Sequence, residues 1–281
     1  LNYAWRFTAH ASYKERYGEM TDLYDRPYQT DYRNSVWNCG ILPVYRQQLY
    51  SVYGEYKSTA REFFATVNLT HNREWYNRIY EQRIENGQVQ RVSLPLSNHG
   101  SGYTVKSTLS KGFYDLGLKT SLMALLNISK AEQISGGQRL PYQYRLMRLE
   151  PKVIWTPNRH WETSYQTDIR YGGNKIGERT RLAPLWNVTQ QVQLSYIFSP
   201  IEASLSVDHY HNDVNEDQSV NAVFADFSVL WKSRRLQITA TATNLFDKRT
   251  YGYTRYASLE SYTSWVRIRP REFLVAIRYQ L

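Results

Sequence analysis

His209 and His211 stand two residues apart with Asp213 beyond them, a spacing that puts both imidazoles on one face of an extended strand, where metal chemistry is the first reading. Asn215, Glu216 and Asp217 follow and add the oxygen atoms that a loop calcium site uses. Neither reading holds. A zinc-type site needs three or four converging ligands, and the acidic run lacks the spacing and the glycine of an EF-hand loop. The segment reads as a strand emerging into a polar loop, and no metal site is expected. Ser135-Gly136-Gly137-Gln138 offers the backbone of a phosphate loop, but no strand-to-helix context follows it, so it reads as a turn. No Ser/His/Asp set or carboxylate pair at recognisable spacing is present, so no catalytic residue, no cofactor and no enzyme activity are expected. The single Cys39 excludes an internal disulfide and any cysteine cluster. Tyr251-Gly252-Tyr253-Thr254-Arg255-Tyr256 interleaves rings with a cation. Such a stretch can stack on bases, and it suits sugars or lipopolysaccharide phosphates at a cell surface equally well.

The elements that would carry these residues are strands. The 281 residues include 8 Trp, 25 Tyr and 9 Phe, far more rings than a disordered chain carries. No run approaches the roughly 20 apolar residues of a membrane-spanning helix. The 35 Lys and Arg against 25 Asp and Glu give a formal charge of +10, but the basic residues are scattered and select no partner by themselves. What organises the chain is alternation with period two. Trp5, Phe7, Ala9, Ala11 and Tyr13 alternate with Arg6, Thr8, His10 and Ser12. Leu116 to Ile128, Met147 to Trp155, Trp161 to Tyr171, Val192 to Phe198, Ile201 to Val207, Val223 to Trp231, Leu236 to Ala242 and Phe273 to Leu281 repeat the pattern. With Phe63 to Leu69, Tyr103 to Leu109 and a less regular segment around Tyr50, Val52 and Tyr56 added, about twelve strands result, roughly 23 residues for each strand with its connection.

Short connections at Ser58 to Arg61, Ser110 to Tyr114, Thr156 to His160, Ser199 to Pro200 and Ser233 to Arg235 alternate with long or polar ones at Glu15 to Pro43, Ile84 to Gly100, Ile134 to Pro141, Gly172 to Pro184, Asn212 to Ser219 and Phe246 to Tyr262. A meander with tight turns at one end and large loops at the other is the form of a transmembrane barrel. Three features favour it over a soluble sandwich. The apolar faces hold no Asp, Glu, Lys or Arg, as expected where a basic residue costs about 2–4 kcal/mol at the midplane. The strands reach the roughly 9–11 residues that a tilted crossing needs. Rings gather where strands meet the short turns: Tyr56 and Phe63, Trp155 and Trp161, Phe198, Trp231 and Tyr279. Because lipid offers backbone groups no partner, the sheet is expected to close. The opposite face is polar, so Arg6, Lys106, Arg148, Lys152 and Arg170 are expected to line a wet lumen.

Asn244-Leu245-Phe246-Asp247-Lys248, Arg269-Pro270-Arg271-Glu272-Phe273 and the terminal strand from Phe273 to Leu281 resemble the C-terminal end of the TonB-dependent receptor family, in particular the SusC-like outer-membrane transporters. The resemblance implies a 22-stranded barrel of which residues 1–281 supply the C-terminal portion as one domain. The plug domain and TonB box would lie outside this chain. It implies integral residence in a bacterial outer membrane and uptake of a glycan, peptide or metal chelate through the lumen, with Tyr251, Tyr253, Arg255 and Tyr256 at the external mouth. Implied partners are outer-membrane lipid and lipopolysaccharide, TonB acting through the absent plug, a surface lipoprotein and the nutrient, with no nucleic acid. The alternative is a plug-free structural or adhesive barrel that anchors surface loops or a partner lipoprotein.

Overall fold

The structure is a computed structural model of the chain and describes residues 3–85, 87–177, 180–181, 184–215, 217–257 and 260–280. Twelve strands form an antiparallel meander: β1 (Tyr3–Tyr17), β2 (Val44–Ser58), β3 (Phe63–Tyr76), β4 (Asn98–Phe113), β5 (Leu118–Ser135), β6 (Gln138–Asn158), β7 (Trp161–Ile176), β8 (Leu185–Phe198), β9 (Ile201–Asp213), β10 (Ser219–Lys232), β11 (Leu236–Thr243) and β12 (Glu272–Tyr279). Each pairs with the next. The only helical elements among the described residues are single 3-10 turns, at Met20–Leu23 and Tyr114–Leu116.

The register turns twelve separate alternations into one surface. Val52, Leu69, Val105, Leu126 and Met147 lie side by side across β2 to β6. Leu194, Leu205 and Phe227 continue the same face across β8 to β10, and Val229, Ala240 and Val275 carry it to β12. This face is the solvent-open one, with Phe7 at 72% and Ile277 at 69% exposure. Charged side chains return to it only at or beyond the aromatic rows near its two ends. At the turn end Trp5 packs on Tyr56 at 4.6 Å and Tyr56 on Phe63 at 5.8 Å. Trp161 meets Tyr196 there at 4.7 Å. At the loop end His71 stacks on Tyr103 at 4.2 Å, and Tyr171 meets Trp186 at 4.8 Å. Two aromatic belts therefore bound an apolar band, the form that a lipid-facing wall takes.

Three expectations are corrected. No pairing joins β1 to β12 among the described residues, so the sheet is open where closure was expected. Alternation specifies which face of a strand is apolar and carries no information about what lies beside the first and last strands. Ile134 to Pro141 is not a loop: β5 and β6 stay paired out to Ser135 and Gln138. The two-residue turn between them has Gly136 at φ 58° and Gly137 at φ 75°, the left-handed pair that a tight hairpin requires and that glycine adopts without strain. Ser110 to Tyr114 also belongs mostly to a strand, because β4 runs to Phe113 and the turn follows it. There Gly117 sits at φ 58°, and any Cβ would collide with the Thr156 carbonyl oxygen.

Candidate functional site

The inner face carries the five cations assigned to the lumen. Arg6 stands opposite Glu55. Lys152 stands opposite Ser121 and Gln166. Lys106, Leu125, Arg148 and Arg170 occupy one row across β4 to β7, continued by Asn187 and Asn212. Asp168 anchors this row. Its Oδ1 and Oδ2 accept from Arg148 Nε and Nη2, both at 3.0 Å, a bidentate fork. Asp168 also accepts from Arg170 Nε at 3.0 Å and Nη2 at 2.5 Å. Arg148 also pairs with Glu150. Two guanidiniums are thus held rigidly against two carboxylates on the inner wall. Sequence reasoning found the arginines and missed Asp168 and Glu150. The spacing of Asp168 and Arg170 signals one face, but only the strand register brings Arg148 to them.

A hairpin from the last long loop folds over this row. Its strands, Thr250–Ala257 and Glu260–Arg267, turn inward. Asn212 Nδ2 donates to Tyr251 Oη at 2.9 Å and to the Gly252 carbonyl at 3.2 Å. The Tyr251 ring packs edge-on against Tyr210 at 5.1 Å, and Thr254, 2% exposed, bonds Thr263 at 2.9 Å between hydroxyls. Tyr251 and Tyr253 line a cavity of about 520 Å³ together with Arg148, Asp168 and Arg170. Two of the four residues expected at the external mouth, Tyr251 and Tyr253, thus face this cavity on the inner wall. The side chains of Arg255 and Tyr256 lie outside the described residues. The hairpin's root is tied by Asn244, whose Nδ2 donates to the carbonyls of Lys248 and Arg269, both at 2.8 Å.

The first two long loops build a second assembly. A hairpin of Ile79–Glu85 and Gln88–Leu94 crosses inward. Its second strand pairs in parallel with Asn34–Trp37 from the preceding loop, and Glu81 reaches Ile134 of β5. Ile79 is fully buried, with Val92 and Ile134 nearly so. Arg78 pairs with Asp22 at 2.9 Å, and the Tyr80 ring lies between Arg78 at 5.0 Å and Arg91 at 3.7 Å. A cavity of about 820 Å³ separates this assembly from the inner wall at Asn72, Glu74, Tyr76 and Asn98.

Glu81, 5% exposed, fastens the hairpin to the β5–β6 turn. Its carboxylate accepts from Arg83 at 2.7 Å and from the Gly137 N–H at 3.0 Å. The Arg83 hydrogen bonds, and after them the Gly137 bond, hold its pKa below the ordinary carboxylate value of 4.5 against the opposing effect of burial. A depressed carboxylate stabilises the folded assembly at pH above the unfolded value and loses that contribution as pH falls through the folded one. Between pH 7 and pH 3 the Gly137 amide is therefore expected to lose protection from hydrogen exchange. Glu81→Gln should flatten the dependence, and equal acid sensitivity in that variant would assign the effect to another group.

Among the described residues no three or more His, Cys, Asp and Glu side chains are placed to hold a metal ion. His211 Nε2 lies 3.4 Å from Asp213 and its Nδ1 2.9 Å from Asn221 Oδ1. His209 sits beside Gln190 and Val223 on the outward face, and Glu216 lies outside the described residues. Cys39 donates its backbone N–H to Ser93 Oγ at 2.9 Å.

The fold and its two belts define an antiparallel, barrel-type sheet with an apolar outer and a polar inner face. Neither a protein-family model nor a curated protein sequence matches the chain, so the resemblance to TonB-dependent receptors does not become membership. Among solved structures the chain is similar to the translocator domain of autotransporter NalP from Neisseria meningitidis, with 9% identity over 99% of this chain and 88% of that one. The TM-score is 0.29, too low for that likeness to carry an argument here.

Proposed function

We infer that the chain is the wall of an integral outer-membrane β-barrel whose task is to hold folded surface loops in place, as a structural or adhesive barrel does. The observation that supports this reading is where burial occurs. Ile79, Val92 and Ile134 are enclosed by the first loop assembly, and Asn212 and Thr254 by the last hairpin. The outward strand faces between the belts keep their large apolar side chains open, and only small ones such as Thr167 and Ala225 are covered by their neighbours, as expected when lipid is the intended neighbour. A partner lipoprotein would meet the loop end.

Uptake of a nutrient through the lumen, with TonB acting through a plug domain, is the second reading. One observation favours it: the Arg148–Asp168–Arg170 cluster opens on a cavity roofed by tyrosines, a combination suited to a polar solute.

Cysteine labelling tests the membrane reading. In a Cys39→Ser background reconstituted in vesicles, a membrane-impermeant maleimide should modify Lys106→Cys and Arg170→Cys and leave Leu118→Cys and Val229→Cys unmodified. Labelling of the second pair would remove the membrane assignment. Arg170→Ala separates the two functions: loss of solute binding supports uptake, and unchanged surface presentation supports anchoring.

A further inference from the structure

Among the described residues, three exposed cations at the loop end of the outward face have no acid partner, and the half-buried Lys175 of β7 stands beside them opposite Gln143. Arg73 on β3 stands opposite Ser101 of β4, Ser101 opposite Lys130 of β5, and Lys130 opposite Gln143 of β6. Arg145 is the next outward residue on β6, opposite Ile128. All three cations are exposed. The acids at this end are already engaged: Glu15 with Arg46 at 3.2 Å and Glu132 with Arg139 at 3.0 Å.

Their height on the wall gives the patch its meaning. Two residues toward the turns from Arg73 and Lys130 runs the loop-end belt row of His71, Tyr103, Ile128 and Arg145, where the His71 ring is stacked between Tyr50 at 6.4 Å and Tyr103 at 4.2 Å. His71 Nδ1 lies 3.0 Å from the Gly102 carbonyl, which makes Nδ1 the donor and leaves Nε2 to accept from Arg73 Nε at 3.2 Å. Arg73 is thereby tied to a ring of the belt. Aromatic belts mark the boundary between acyl chains and headgroups, so Arg145 stands at that boundary and Arg73 and Lys130 on its headgroup side, all three facing away from the lumen. The patch is local. On β8 and β9 the outward residues at the loop end are Trp186 and Asp213, with the Trp186 N–H bonded to Asp213 at 2.8 Å, and no cation replaces the acid there.

We propose that Arg73, Lys130 and Arg145 form a docking site for the phosphorylated headgroup of a lipid in the leaflet at the loop end. The proposal rests on the membrane reading above and adds a specific lipid contact to it. Neighbouring strands lie about 4.8 Å apart, so cations on β3, β5 and β6 straddle one headgroup. Phosphate takes Arg and Lys as charge-assisted donors, and basic clusters at membrane level favour anionic lipid by about a factor of five per cation.

The test uses the whole chain in detergent micelles, with diphosphoryl lipid A as probe and bound lipid counted by native mass spectrometry. Arg73→Ala/Lys130→Ala/Arg145→Ala is expected to weaken binding roughly 100-fold. Lys232→Ala/Arg234→Ala/Arg235→Ala removes the same charge from the turn end and should leave binding unchanged. Equal loss in both triple variants would reduce the effect to net charge and overturn the site. Competition by inorganic phosphate at the lipid's own concentration would overturn the headgroup assignment in favour of a simple ion site. If wild type prefers lipid A no more than phosphatidylcholine but still requires detergent, the headgroup site alone fails. If it stays monodisperse without detergent, the membrane reading fails with it.

Discussion

Leu122→Arg should prevent the chain from assembling in a bilayer, while Met123→Arg, one residue along, should be tolerated. Leu122 lies between Leu109 and Pro151 on the outward face. On β5 that face runs from Leu118, opposite the turn-end Trp155, to Ile128, opposite the loop-end Tyr103, so Leu122 sits well inside the apolar band. An arginine at the midplane of such a wall costs about 2–4 kcal/mol, a loss of roughly 30- to 1000-fold in the folded population. Met123 points the other way, between Thr108 and Glu150. A cation there gains the Glu150 carboxylate as a neighbour and should shift stability by no more than about 0.5 kcal/mol. Folding into dilauroyl phosphatidylcholine vesicles, followed by heat-dependent gel mobility across a urea series, separates the two. If both variants fold alike, the outward face meets water and the wall is not a membrane wall.

That contrast also explains why so much of the fold was legible in the sequence. In a wall with lipid on one side and water on the other, each side chain reports its own face, so Leu122 and Met123 can be told apart from parity alone. Strand number follows from the same signal, and the alternation of turns with loops follows except at Ile134 to Pro141, where a paired hairpin takes the place of a loop. Relations between strands do not. Asp168 serves Arg148 because the register of β6 on β7 places them together, and nothing local to either residue encodes that register. The inward fold of the Thr250–Ala257 strand depends on Asn212, 39 residues from Tyr251. The composition around Tyr251 suits a surface loop, and the place of its side chain is set by a distant amide. The charge at Glu81 was equally silent, since its partners Arg83 and Gly137 come from a neighbouring position and from another hairpin.

Asn244→Ala should release the inward hairpin without dissolving the wall. Asn244 ends β11 in the left-handed region at φ 51°, a conformation that asparagine tolerates and alanine resists by about 1–2 kcal/mol. Besides its two donations, its Oδ1 accepts from the Lys248 N–H at 2.9 Å, and its own N–H donates to Asp226 Oδ1 at 2.7 Å. One side chain therefore joins the end of β11, the root of the hairpin and the residue before the final descent. Asp247 adds a second tie by accepting the Arg271 N–H at 3.0 Å. Three side-chain hydrogen bonds at about 0.5–1.5 kcal/mol each, with the backbone strain added, give about 3–6 kcal/mol. That loss falls on the hairpin, because β10, β11 and β12 keep their ladder through Trp231, Ile238 and Ile277. Trypsin cleavage within residues 248–269 should accelerate at least 100-fold, at unchanged heat-dependent gel mobility. Asn244→Gly permits the left-handed backbone but removes the side chain, so it should recover only the strain and remain fast. A cleavage rate equal to that of the unmodified chain would mean that Asn212 and Tyr251, not the root, hold the hairpin over Arg148 and Arg170.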